Sequence, residues 1–72
     1  MKVWVLLFWG EGTYSRVHVF KEDNPPSMQR VEEILRNWGE TYDLKGKIEA
    51  IKNGGEYFKS YESLSLTLMD ME

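Results

Sequence analysis

Cysteine is absent from this 72-residue chain, which excludes disulfides, thiolate metal sites and cysteine nucleophiles together. Histidine occurs once, as His18. A transition-metal site normally draws on a second imidazole or a thiolate, so no metal and no cofactor is expected. The longest apolar run, Val3 to Trp9, falls far short of the roughly 20 residues a membrane helix needs. Lys2 could open a signal peptide, but that run is at the short limit, and Gly10-Glu11-Gly12 follows it instead of a small-residue cleavage site. The expectation is a cytoplasmic protein without a membrane segment.

Neither sign of charge dominates. Nine Lys or Arg stand against twelve Asp or Glu, for a net charge of −3. Lys45, Lys47, Lys52 and Lys59 form a loose basic cluster, but Asp43, Glu49 and Glu56 lie in the same stretch. No basic stripe results, and the electrostatic part of nucleic-acid binding is missing. An aromatic sheet can stack unpaired bases, but the consensus of RNA-recognition sheets is absent too.

What the chain has is apolar and aromatic content: 42% hydrophobic residues, with three Trp, four Tyr and three Phe. That is enough for one folded domain over residues 1–72 and too much for a disordered tail. Val3–Trp9 is β-branched and aromatic and reads as a strand. Both of its faces are apolar, as in a central strand covered on both sides. Gly10-Glu11-Gly12 supplies a turn, and Thr13–Phe20 returns as a second strand. Lys21–Ser27, with two prolines, is a connection.

Met28, Val31, Ile34, Leu35 and Trp38 recur at helical spacing. Ser27 is placed as N-cap and Gly39 as the left-handed C-terminal residue. Glu40–Tyr61 has two readings. In one, Asp43 caps a helix carrying Leu44, Ile48 and Ile51, with Gly54 ending it. In the other, 47–52 and 56–59 form a hairpin across Asn53-Gly54-Gly55. The helix is preferred, because a strand would put Ile48 and Ile51 on opposite faces. Tyr61–Met71 alternates, with Leu64, Leu66 and Leu68 on one face, and reads as a half-buried strand.

These elements predict an α+β two-layer sandwich of ββα(α)β order: a three-stranded antiparallel sheet, first strand central, with one or two helices on one face. In that arrangement Val3, Val5, Leu7, Val17, Val19 and the three leucines meet Met28, Val31, Leu35 and Trp38. Trp4, Leu6, Phe8, Tyr14, His18, Phe20, Met69 and Met71 are left on the other face. Either Tyr42, Tyr57, Phe58 and Tyr61 fold across that face, or it remains open as an interaction surface.

Catalytic signals are weak. His18 has no nucleophile or orienting carboxylate tied to it, and the acidic residues lack calcium-loop spacing. Gly10-x-Gly12 lacks the third glycine and the helix of a dinucleotide fingerprint, and Asn53-Gly54-Gly55 lacks the Lys-Ser or Lys-Thr of a phosphate loop. The expectation is a non-enzymatic protein-binding module, an adaptor or inhibitor in the style of a phage or mobile-element accessory protein acting on a host factor. Its binding residues would be Trp4, Phe8, Tyr14, Arg16, His18 and Phe20, since aromatics and Arg anchor interfaces. The alternative is a homo-oligomer holding a small ligand between subunits, with Arg16 and lysines on a phosphate.

Overall fold

The computed structural model describes residues 1–71. Strand β1 (Lys2–Gly10) turns into β2 (Arg16–Phe20), and helices α1 (Met28–Trp38) and α2 (Leu44–Ile51) follow. Strands β3 (Gly55–Lys59) and β4 (Glu62–Asp70) complete the chain. All pairings are antiparallel and the sheet order is β2-β1-β4-β3. The first and last strands therefore lie side by side at the centre. Their ladder runs from Lys2 opposite Asp70 to Gly10 opposite Glu62. Past its end, the Met71 N–H donates to the Met1 carbonyl at 2.6 Å.

The sheet has four strands where the sequence predicts three. Residues 40–61 turn out to hold something of both readings. The chain is helical through Ile51, and 55–59 is then a strand whose partner is β4, not 47–52. Asn53 (φ 60°) and Gly54 (φ 98°) make the reversal, and the Gly54 N–H donates to the Ile51 carbonyl at 2.9 Å.

Helix α1 has the termini its sequence announces. Ser27 Oγ accepts the Arg30 N–H at 3.2 Å. Gly39 is left-handed, and the Gly39 and Glu40 N–H groups donate to the Arg36 and Leu35 carbonyls, which is a Schellman ending. Helix α2 is capped differently. Asp43 stands at its N-cap in a left-handed conformation, but its carboxylate makes no bond to the helix; it accepts the Tyr57 hydroxyl at 2.9 Å instead.

The larger correction concerns which face of the sheet meets the helices. Trp4, Leu6, Phe8 and Phe20 are buried with Leu64 and Leu66 against Val31, Leu35 and Ile51, and Met28 and Trp38 pack on that core as expected. Val5, Leu7, Val17 and Val19 point the other way. Residues directly opposite in a ladder share a face, and Leu6 lies between His18 and Leu66 while Leu7 lies between Val17 and Ser65. The leucines of β4 thus bring Trp4, Leu6 and Phe8 inward with them. Alternation within β1 could not reveal this, because both of its faces are apolar. Leu68, near the end of the sheet, stays exposed.

Candidate functional site: the helix-free sheet face

Three rows of side chains, read across the strands, build the open face. Val19, Val5 and Thr67 form the first row; Val17, Leu7, Ser65 and Glu56 the second; Trp9, Ser63 and Phe58 the third. Met69 extends it at one end; Val3, expected to meet the helices, lies opposite Met69 on this side of the sheet but is buried there. Val17 is 60% exposed, Leu7 46%, Trp9 45% and Phe58 72%. The second half of the chain does not fold across them: α2 lies on the helix side and β3 forms an edge. Glu56 is the only charged side chain among the strand residues of this face. A solvated antiparallel face normally alternates toward polar residues; here β4 offers hydroxyls and β1 and β2 offer only apolar groups.

The six residues the sequence singles out are not gathered on this face. Trp4, Phe8 and Phe20 are core residues. Trp4 also ties down the loop after β2, its Nε1 donating to the Asp23 carbonyl at 3.1 Å. His18 is half-buried on the helix side with its ring 4.6 Å from that of Phe20. Arg16 leaves β2 on the same side, so the phosphate cation of the ligand-holding alternative faces away from the open surface. Tyr14 is exposed in the turn before β2. The face is made instead by Leu7, Trp9, Val17, Val19, Phe58 and Met69. The serine and threonine column of β4 was the signal for it, since whatever pairs with Ser63 and Ser65 shares their side of the sheet.

A second polar cluster lies at the end of the core. Lys47, expected in a basic surface cluster, is fully buried. Its Nζ donates to the Tyr42 carbonyl at 2.7 Å and lies 2.6 Å from Glu62 Oε1. The rings of Phe8, Tyr42 and Tyr57 stand 5.7–5.8 Å from it. Glu62 Oε1 has no hydrogen-bond donor in proper geometry, so its contact with Lys47 is Coulombic. Burial, and then the bond to Asp43, push the Tyr57 hydroxyl up to about 12. Tyr61 is likewise raised to about 12, chiefly by the neighbouring Tyr42, whose ring meets it edge-on at 6.2 Å. An enclosed amine with its charge already matched is a packing device; no substrate can reach it.

Among the described residues no three His, Cys, Asp or Glu side chains converge as metal ligands, and no helix is long and apolar enough to cross a membrane. Compared with family models, curated proteins and solved structures, the chain matches none.

Proposed function

We propose that this chain is a non-enzymatic protein-interaction module whose contact surface is the helix-free face of its sheet. The observation that carries the reading is the makeup of that face: contiguous, apolar and with Glu56 as its single charge, in a chain rich in charge elsewhere. Apolar patches of several hundred Å² on small proteins mark interaction sites, and depletion of charge distinguishes interface cores from ordinary surface. Trp9 and Phe58 are of the residue types that anchor interfaces.

The test replaces Leu7 and Val17 together by lysine. Both are exposed, so the fold should persist with stability changed by less than about 1 kcal/mol. Binding of a hydrophobic dye should fall, and so should capture of polypeptide partners, a differently tagged copy included. A folded double variant that captures everything the native chain captures would refute the assignment.

A further inference from the structure

We infer that the partner seated on this face is a second copy of the chain, docked face to face about a two-fold axis that runs along the Val17-Leu7-Ser65-Glu56 row. The inference rests on the reading of the face as a protein-binding surface, and it makes that surface self-complementary. The first argument is area. Two central strands of nine residues and two edge strands of five, at a spacing of about 4.8 Å and a rise of about 3.4 Å, present roughly 450 Å². Covering it on two copies buries close to the roughly 1,000 Å² that a specific interface requires. Two faces of that size give about 900 Å², so only a partner that covers the whole face comes near that requirement, and a second copy has the matching size.

The second argument is the pattern along the strands. A rotation about that row turns the partner's strands antiparallel and sets its third row over the first. Leu7 and Val17 then meet their own equivalents, and Trp9 of each copy lies over Val5 and Val19 of the other. On β3, the exposed Phe58 of each copy falls toward Ser65 and Thr67 of the other, past the start of the strand. The same axis brings Glu56 of each copy toward the other at the rim, the one unfavourable contact. The product is a four-layer α-β-β-α sandwich with sheets about 10 Å apart.

Sedimentation equilibrium over a dilution series tests this with the whole chain. A reversible dimer is expected, with a dissociation constant on the order of micromolar for so small an interface. Leu7→Asp, acting twice on the axis, should weaken it by at least about tenfold, and Phe58→Ala should weaken it also. Glu56→Gln should tighten it, a response particular to this axis, and Lys45→Gln on helix α2, on the other side of the sheet, should leave it unchanged. Circular dichroism checks the fold, with Val17→Asp standing in should Leu7→Asp not fold. A native chain that stays monomeric at all concentrations overturns the inference, as does a dimer indifferent to Leu7→Asp, Val17→Asp and Phe58→Ala. A monomer whose capture of a different polypeptide is lost in the Leu7→Lys, Val17→Lys variant would leave the face a binding surface while removing the second copy as its occupant.

Discussion

Lys47 is the residue whose role differs most from its sequence context. In a run with Lys45 and Lys52 it looks like one more surface cation, yet it is enclosed by three rings and neutralised by Glu62. Removing one partner of such a pair leaves the other charge buried and unmatched, whereas removing both can be nearly neutral. Lys47→Met should therefore cost about 3–5 kcal/mol, and Lys47→Met combined with Glu62→Leu should cost clearly less. Urea denaturation of the two variants decides it; equal losses would mean that Lys47 matters through its packed stem and the Tyr42 carbonyl alone. Sequence could not disclose this pair, because Lys47 and Glu62 meet only after β4 is laid down beside β1.

At the scale of elements, the two helices show what a sequence can and cannot specify. Helix α1 carries its own instructions in Ser27, the apolar stripe and Gly39, and it forms where they say. The alternation in β4 was equally legible. Helix α2 takes its beginning from a tertiary contact, since the carboxylate of Asp43 is turned toward Tyr57. That orientation explains Gly46. A Cβ there would stand 2.6 Å from Asp43 Oδ2, so the usual gain of about 1 kcal/mol for Gly→Ala inside a helix should be cancelled. In an Asp43→Ala background the same Gly46→Ala change should recover it. Thermal unfolding of this double-mutant cycle tests the coupling; equal effects in both backgrounds would show that Asp43 does not impose the glycine. The face of β1 was illegible for a different reason. Trp4-Leu6-Phe8 and Val5-Leu7-Trp9 are equally apolar, and only the register against Leu64 and Leu66 separates them.

For the molecule as a whole, the tyrosines at the end of the core fix its behaviour in alkali. Tyr57 and Tyr61 hold their protons up to about 12, while in an unfolded chain a tyrosine releases its proton near pH 10. Their contribution is thus fully present below about pH 10 and declines as pH rises from about 10 to 12, because only the unfolded chain then ionises them. Stability followed by denaturation across that range should fall, and Tyr57→Phe should make the fall shallower. A profile for Tyr57→Phe that parallels the native one would show that Tyr57 is not held protonated by its surroundings. The open face adds no carboxylate but Glu56, so changes near neutral pH should leave its apolar character intact.

The pairing of the first strand with the last has a consequence in time. A ribosome releases β1 before the other five elements of the domain, but the strand that must lie beside it is the last of the six to be made. Until then both apolar faces of β1 are bare, with β2 as the one neighbour available. Closing the centre of the sheet means joining residues almost a chain length apart, a slow kind of contact. The domain can therefore complete itself only after translation of β4. The interval before that is when the nascent chain is most exposed to aggregation.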